Sequence, residues 1–218
     1  MARTKAFERR ATDYDAWFDR YPAVYQTELA AIRSLWSSGG ESLEVGAGTG
    51  RFTVPPEVTR GIEPSSAMRA IAATRGCIVD DGVAEALPFD DARFAALLMV
   101  TVDCFLDDPP RAYAEAHRVL RPGGVIVVAL IDKDSPVVQR SRPDTGESEF
   151  YEEARLHAVR EVLDWLSAAG FVNLAIAQTL FTSWDQLTEP DAIRTGYGTG
   201  AFVVIRGCKP ESGDSLMC

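Results

Sequence analysis

Cysteine and histidine are scarce in this sequence, and their scarcity limits the chemistry it can carry. The 218 residues include two histidines and four cysteines, namely Cys77, Cys104, Cys208 and Cys218. The cysteines lack Cys-x-x-Cys spacing, and no histidine is close enough in sequence to any of them to suggest a zinc cluster, so we predict no metal site. We expect reduced thiols, as in a cytoplasmic protein.

Long apolar runs and basic clusters are also missing. No stretch approaches the length of a membrane span, and the N-terminal segment MARTKAFERR lacks the apolar run of a signal peptide. Acidic side chains outnumber basic ones by 32 to 22, which gives a net charge of -10. Such a surface repels phosphate backbones. We therefore expect a cytoplasmic protein without a membrane span and without a nucleic-acid partner.

What the sequence does contain is a regular alternation of strand-length apolar runs with helical periodicities. The length fits a single domain over residues 1–218, with N-terminal cap helices in 1–38 and a flexible tail over 210–218. In the first helix, Tyr25, Glu28 or Leu29, and Ile32 recur at helical spacing. Helices are predicted over 23–37, from 64, from 109 and over 155–169, and strands over 42–45, 58–62, 77–79, 95–101, 125–131, 174–180 and 200–206.

The run 95–101 is continuously apolar, as expected for a strand that is covered on both faces of a parallel sheet. Strands that alternate with helices at this spacing predict an α/β doubly wound fold. In such a fold, ligands bind at the carboxyl ends of the parallel strands. The loops that can reach a ligand are therefore those after Val45, Ile62, Val79, Thr101 and Ile131.

The first of these loops is rich in glycine. Directly after the first strand comes Glu44-Val45-Gly46-Ala47-Gly48-Thr49-Gly50. Three glycines in five positions allow a tight turn and let a ligand approach the backbone closely. A dinucleotide fingerprint needs glycine or alanine at the position that Arg51 occupies here. The loop therefore favours a nucleoside ligand other than NAD.

Two further segments support nucleoside recognition. Glu63 ends the second strand 17 residues after Gly46, where a carboxylate can accept both hydroxyl protons of a ribose. The third strand is followed by residues 81–89, whose backbone N–H groups and carboxylates can face an adenine edge. The order of these three segments along the chain is the one that a nucleoside site requires.

Four stretches together, EVGAGTG at 44–50, GIEPS at 61–65, AEALPF at 84–89 and RVLRPGG at 118–124, resemble the class I S-adenosylmethionine-dependent methyltransferases. Within that family the chain is similar to the small-molecule branch of ubiquinone/menaquinone biosynthesis methyltransferases. The resemblance implies S-adenosyl-L-methionine as cofactor and a doubly wound, seven-stranded, mostly parallel sheet with the last strand antiparallel. It implies cofactor contacts from Tyr14, Glu44, Gly46, Ala47, Gly48, Gly50, Glu63, Pro64, Met68, Ala84, Glu85 and Thr101.

The chain departs from the family pattern at two places. Only residues 51–59 separate the first two strands, and Pro55-Pro56 interrupts them, so the usual helix there must be very short or missing. Val83 stands where many relatives have aspartate. We therefore expect Glu85 to accept a hydrogen bond from the amino group of adenine.

The resemblance also implies a methyl transfer by in-line displacement to a small-molecule acceptor. Alignment, exclusion of water and a deprotonated nucleophile supply most of the acceleration in such a reaction. Asp103, after the fourth strand, is the best-placed candidate general base, and a solvent-facing loop carboxylate is the equal alternative.

The substrate-side loops are predicted over 134–157 and 181–199. We expect Tyr151 and Tyr197 to act on the acceptor together with Tyr14 of the cap, with Phe150 helping to close the pocket. The alternative is that these tyrosines are ordinary half-buried packing residues.

Two other functions stay open at this stage. A nicotinamide-dependent oxidoreductase is disfavoured by Arg51 and by the lack of a Tyr-x-x-x-Lys pair. A non-catalytic protein that senses the cofactor would keep the binding site and transfer nothing. The acceptor atom and the oligomeric state cannot be derived from the sequence.

Overall fold

The computed structural model describes residues 4–140 and 149–211. Most of the predicted tail and residues 141–148 of the first substrate-side loop lie outside the described residues, as does the side chain of Tyr151. Within the described residues, no helix has both the length and the apolar composition needed to cross a membrane.

Helices and strands alternate along most of the chain, as predicted. The helices are α1 (Lys5–Arg20), α2 (Pro22–Leu35), α3 (Ser66–Thr74), α4 (Pro109–Val119), α5 (Pro136–Arg140), α6 (Glu149–Glu152) and α7 (Val159–Ala168). The strands are β1 (Ser42–Val45), β2 (Arg60–Ile62), β3 (Val79–Asp80), β4 (Phe94–Val100), β5 (Leu120–Ile131), β6 (Val172–Thr179), β7 (Arg194–Thr195) and β8 (Phe202–Cys208). Two 3-10 turns cover Asp103–Phe105 and Trp184–Gln186.

The strands form one sheet in the order β3-β2-β1-β4-β5-β8-β6-β7. Strands β1 to β5 pair in parallel, and β8 lies antiparallel between β5 and β6. This arrangement confirms the doubly wound α/β fold with an antiparallel last strand. The described sheet has eight strands rather than seven because β7 adds a two-residue pairing with β6. Two residues are too few to produce a hydrophobic alternation that a sequence pattern could reveal.

Helices cover both faces of the sheet. On one face, Tyr113 and Leu166 belong to a core cluster with the strand residues Leu97 and Val128. On the other face, Phe18 and Ile32 belong to a second cluster with Val100 and Phe202. The central strand β4 is buried along its whole length, because helices shield it from both sides.

The connection between β1 and β2 lacks the usual helix, as the sequence predicted. Residues 51–57 form successive turns. Proline at positions 55 and 56 removes two backbone donors that a helix would need. The space beside this connection is filled by aromatic packing, in which Phe52 contacts Phe18 and Tyr25 with ring centroids 5.6 and 5.5 Å apart.

Candidate cofactor and active site

The glycine loop adopts backbone angles that favour glycine. The φ values are +71° at Gly46, +53° at Gly48 and +83° at Gly50. A Cβ atom on Gly46 would lie 2.3 Å from Cγ2 of Val102, so the loop after β1 packs directly on the loop after β4. A Cβ atom on Gly48 would lie 3.9 Å from the Tyr14 ring. The Gly48 backbone therefore faces Tyr14 of helix α1, with room for a Cβ atom between them.

Glu63 lies at the end of β2 and points back to the glycine loop. Its side chain is 8% exposed, Oε2 accepts a hydrogen bond from the Gly48 N–H at 3.1 Å, and Oε1 accepts one from the Ser65 N–H at 2.8 Å. Burial raises the pKa of Glu63, although these two N–H groups oppose the shift. Each carboxylate oxygen keeps a further lone pair, so the group can accept hydroxyl protons of a ribose.

Glu44 places a second buried carboxyl group beside the same loop. It is 1% exposed, and the Thr53 hydroxyl donates a hydrogen bond to it. Burial raises its pKa to about 8, against the opposing hydrogen bond from Thr53. Two buried acids at one loop suit a ligand that carries positive charge, because such a ligand offsets the cost of their ionisation.

The N-terminal helix covers the loop. Tyr14 and Phe18 of α1, with Glu44, Gly48 and Phe52 among other residues, line a cavity of about 20 Å³. A cavity of this size holds about one water molecule. The cap therefore lies closed against the glycine loop at this point.

Ion pairs hold α1 in this closed position. The Asp15 carboxylate accepts hydrogen bonds from the Thr49 hydroxyl at 2.7 Å, from Arg51 Nε at 2.9 Å and from Arg75 Nη2 at 2.8 Å. Arg51 also donates to Asp19 at 2.7 Å. From the sequence, Arg51 was expected only to disfavour NAD, and its role as an anchor of α1 was not predicted. The available signal was the acidic pair four residues apart on one helix.

We expect Asp15→Asn to loosen the cap. Burial raises the pKa of Asp15, but the hydrogen bonds from Arg51, Arg75 and Thr49 outweigh it and hold the pKa at about 2. The folded pKa is below the usual 3.8, so the stabilisation is complete above pH 3.8 and is lost as pH falls through about 2. At neutral pH the amide variant should increase the hydrogen-exchange rates of the α1 amides about tenfold.

Asp13→Asn is the matched control for that measurement. Asp13 pairs with Arg10 on the surface of the same helix, and its side chain is 61% exposed. An exposed pair of this kind contributes little to stability. Equal hydrogen exchange in the two variants would show that Asp15 does not anchor the cap.

On the adenine side of the site, Glu85 has partners within the chain. Its Oε1 accepts hydrogen bonds from the backbone N–H groups of Asp107 at 2.9 Å and Asp108 at 3.3 Å, directly before α4. N–H groups at the start of a helix lack partners within the helix and attract a carboxylate. The contact of Glu85 with the amino group of adenine stays a prediction. Ala84, in the loop after β3, is 6% exposed.

Two other predicted contacts lie in the same region. Met68 is 1% exposed within α3, and Pro64 is half-buried between Glu63 and the helix start. Arg69 donates to the Glu63 carbonyl and to Asp81 Oδ1, at 2.5 and 3.0 Å. This arginine, which was not predicted as a site residue, joins the segments that follow β2 and β3.

The loop after β4 begins with a strained residue. Thr101 has a φ of +51°, which is uncommon for a residue with a β-branched side chain. The next residue, Val102, packs against Gly46, and the turn then buries Asp103 and Cys104. A conformation of this kind persists only where its surroundings hold it, and functional loops are the usual place.

Asp103 follows β4 in the first 3-10 turn, and it is buried rather than solvent-facing. The residue is 2% exposed, and burial raises the pKa of its carboxyl to about 7. Its negative charge adds to the effect of burial in raising the pKa of Tyr113, which belongs to the core cluster shared with α7. The role of Asp103 as a general base toward the methyl acceptor stays a prediction.

Aromatic rings from three segments meet beside the cap. Phe7 contacts Tyr14, Phe105 and Phe150 with ring centroids 5.6, 5.0 and 5.3 Å apart, and Tyr14 contacts Phe150 at 5.7 Å. Phe105 follows β4 and Phe150 belongs to α6, so the cap meets the first substrate-side loop. We call Phe7, Tyr14, Phe18, Phe105 and Phe150 the aromatic cluster.

Tyr197 does not join this cluster. It is 47% exposed on the connection between β7 and β8, and no described contact brings it to Tyr14. The glycines on either side of Tyr197 have φ values of +88° and +99°. The role of Tyr197 toward the acceptor stays a prediction. The two substrate-side loops do meet elsewhere, at a cavity of about 410 Å³ lined by Val137, Arg140, Phe181, Thr182, Ser183 and Gln186.

The geometry defines an α/β protein with a nucleoside site at the carboxyl ends of its parallel strands, and comparison with known proteins identifies the family. Residues 43–128 match the family described as "Methyltransferase domain". A crystal structure of a SAM-dependent methyltransferase, "possible histamine N-methyltransferase", from Thermotoga maritima is 42% identical. It has a TM-score of 0.89 and covers 94% of this chain and 98% of its own. The chain belongs to the S-adenosylmethionine-dependent methyltransferases.

Two further comparisons show how widely the sequence and fold occur. An uncharacterized protein of Methanocaldococcus jannaschii is 36% identical over 91% of this chain and 96% of its own length. Geranyl diphosphate methyltransferase in complex with sinefungin has a TM-score of 0.60 at 18% identity, covering 84% of this chain and 77% of its own, and shares the fold. The cofactor of this family is S-adenosylmethionine, and the glycine loop with Glu63 fits it.

Proposed function

We propose that this protein transfers the methyl group of S-adenosylmethionine to a small-molecule acceptor by in-line displacement, in the cytoplasm. The observation that carries the proposal is the closed cap, in which Tyr14 faces Gly48 across the nucleoside site. Methyl transfer from a sulfonium needs alignment and exclusion of water more than a fixed catalytic triad. A helix held over the site by Asp15, Asp19, Arg51 and Arg75 can supply both.

Particular residues take defined roles in this proposal. The backbone at Gly46, Ala47, Gly48 and Gly50 holds the methionine part of the cofactor, Glu63 holds the ribose hydroxyls, and Ala84 faces adenine. The bound cofactor supplies an electrophilic methyl group. Thr101 shapes the loop beside that group, while Tyr14 and Phe150 shield the acceptor from water. The family membership favours this activity over the oxidoreductase and over a sensor without turnover.

The small size of the acceptor has two supports. The acidic net charge of -10 disfavours a nucleic-acid substrate. The Thermotoga relative carries the name of histamine, a small organic molecule, and is similar to this chain over nearly its whole length. Both observations favour a metabolite over a polymer.

The direct experiment combines cofactor binding with product analysis. Isothermal titration calorimetry should show binding of S-adenosylmethionine and of its demethylated product, and no binding of NADH. Incubation with methyl-labelled cofactor and fractionated metabolites should then give a labelled small molecule. Comparable affinity for NADH would contradict the cofactor assignment, and cofactor binding without label transfer to any fraction would favour the sensor.

Glu63→Ala should weaken cofactor binding more than about tenfold. A hydrogen bond to a charged group contributes about 1.5 to 3 kcal/mol, and the variant removes the acceptor of two ribose hydroxyls. Calorimetry with the demethylated cofactor measures the change. Glu41→Ala is the control, since Glu41 pairs with Arg93 on the exposed surface. If Glu63→Ala and the control bind equally well, Glu63 is not a ribose ligand.

A further inference from the structure

Glu28 is an acidic residue in the middle of a buried helix face. On α2, Val24, Ala31 and Ile32 are 1%, 0% and 0% exposed, and they are three or four residues from Glu28. Residues at this spacing share one side of a helix. Glu28 itself is 7% exposed. A purely structural helix would place an apolar side chain at this position, because burial of a carboxylate is costly.

The Glu28 carboxyl has no internal partner in the described part of the chain. Glu44 and Glu63 accept hydrogen bonds from Thr53, Gly48 and Ser65. For Glu28 no such bond exists among the described residues, and burial raises its pKa to about 8. A buried acid without a partner costs stability. A ligand that supplies the missing positive charge would offset this loss of stability.

Glu28 lies toward the ligand edge of the sheet. Trp36, just after α2, packs against Ala96 and Val125, and its indole N–H donates to the Pro56 carbonyl in the connection that leads to β2. Near the middle of α2, next to Glu28, the Thr27 hydroxyl accepts a hydrogen bond from the Asp191 N–H in the connection after β6. The helix therefore runs opposite to the parallel strands, and its part around Thr27 lies near the connection that follows β6. Helix α2 packs on β5, β8 and β6, beyond the cofactor half of the sheet.

Tyr14 links Glu28 to the cofactor half. Burial raises the pKa of the Tyr14 hydroxyl, and the charge of Glu28 contributes next, followed by that of Glu63. The geometric link is Tyr25, three residues before Glu28 on α2, whose ring contacts Phe18 of the aromatic cluster with centroids 5.2 Å apart. Tyr14 also belongs to the aromatic cluster, whose ring faces attract cations.

We propose that Glu28 is an acceptor-binding residue, which holds the ammonium group of a small organic amine beside the aromatic cluster. This inference rests on the proposed methyl transfer and adds the chemical class of the acceptor. The carboxylate supplies the opposite charge, and the rings of Tyr14 and its neighbours enclose the apolar part of the amine. The assignment explains why the acid stands on an apolar face.

The test measures binding to protein that is saturated with the demethylated cofactor. The probes are three amines, butylamine, 2-phenylethylamine and tryptamine, each compared with the alcohol of the same carbon skeleton. In the wild-type protein at least one amine should bind about tenfold more tightly than its alcohol. Glu28→Gln should abolish this preference and change the affinity for the demethylated cofactor less than about twofold.

Glu41→Gln is the matched control and should keep the preference, because Glu41 lies on the exposed surface. If Glu28→Gln does not fold, Glu28→Leu is measured instead. This variant extends the apolar face of α2, and it must also lose the preference for the amine over the alcohol. The inference is overturned if the wild-type protein binds the cofactor product but prefers no amine, or if either Glu28 variant keeps the preference. Failure of the wild-type protein to bind the cofactor product contradicts the proposed function instead.

Discussion

Gly46→Ala is expected to cost about 3 kcal/mol of the free energy of unfolding. The new Cβ atom would lie 2.3 Å from Cγ2 of Val102 and 3.3 Å from its Cγ1, so one of the two loops must shift. Overpacking of this kind costs about 1 to 3 kcal/mol. The φ of +71° adds about 1 to 2 kcal/mol for any residue other than glycine. Urea unfolding followed by circular dichroism measures the loss.

Gly76→Ala separates the two contributions. Gly76 has a similar φ of +79°, but a Cβ atom there would meet nothing within 4 Å, so only the backbone cost of about 1 kcal/mol remains. The double variant Gly46→Ala with Val102→Ala should recover part of the loss by opening space. If Gly46→Ala and Gly76→Ala cost the same, Val102 adapts freely and the loops are not tightly packed.

The order of strands and helices could be predicted from the sequence because it depends on local hydrophobic periodicity. Runs such as Ala95–Thr101 and the glycine loop carry their own signal, and the structure places β4 at Phe94–Val100. The two-residue β7 carries no such signal. Helix α1 is only weakly marked, because its buried residues are Ala6, Ala11 and Phe18 alone. Long-range ion pairs with Arg51 and Arg75 hold it instead, and spacing along the chain does not predict them.

The directions of the side chains in the site were harder to predict from the sequence than the positions of the loops that carry them. The sequence placed Glu85 and Asp103 in loops at the ligand edge, which is correct for their backbone. It could not show that Glu85 accepts hydrogen bonds at the start of α4 or that Asp103 is buried. Nor could it show that Tyr197 is 47% exposed, because the exposure of a loop residue depends on the fold around it. Glu28 was visible as a periodic position of the first helix, yet periodicity alone does not distinguish an acid with a function from a boundary residue.

The position of Glu28 leads to an expected gain in stability, which is unusual for a substitution near an active site. Glu28→Leu should raise the free energy of unfolding by about 2 kcal/mol at pH 8, because replacement of buried charges by apolar residues of similar volume often stabilises proteins by about 1 to 4 kcal/mol. For a chain of this length that gain corresponds to an increase of about 4 to 8 °C in Tm. Differential scanning calorimetry measures it.

The pH dependence distinguishes this explanation from better packing by leucine. Burial raises the folded pKa of Glu28 from 4.5 to about 8, so the native state holds this proton more tightly than the unfolded state. The contribution of protonated Glu28 to the stability of the wild-type protein is fully present below pH 4.5 and is lost as pH rises through about 8. The advantage of Glu28→Leu should therefore be small near pH 4.5 and largest at pH 8 or above. Glu44 and Glu63 remain in both proteins, so their own titration cancels in the comparison.

Glu41→Leu provides the control, since Glu41 pairs with Arg93 at the surface and should change Tm little at either pH. A lower Tm for Glu28→Leu at pH 8 would mean that Glu28 has a stabilising partner in the folded chain. If the increase in Tm of Glu28→Leu does not vary with pH, better packing by leucine explains the increase. A gain that grows with pH, together with loss of the amine preference, would show that the protein keeps a destabilising acid at this position because its ligand needs the charge.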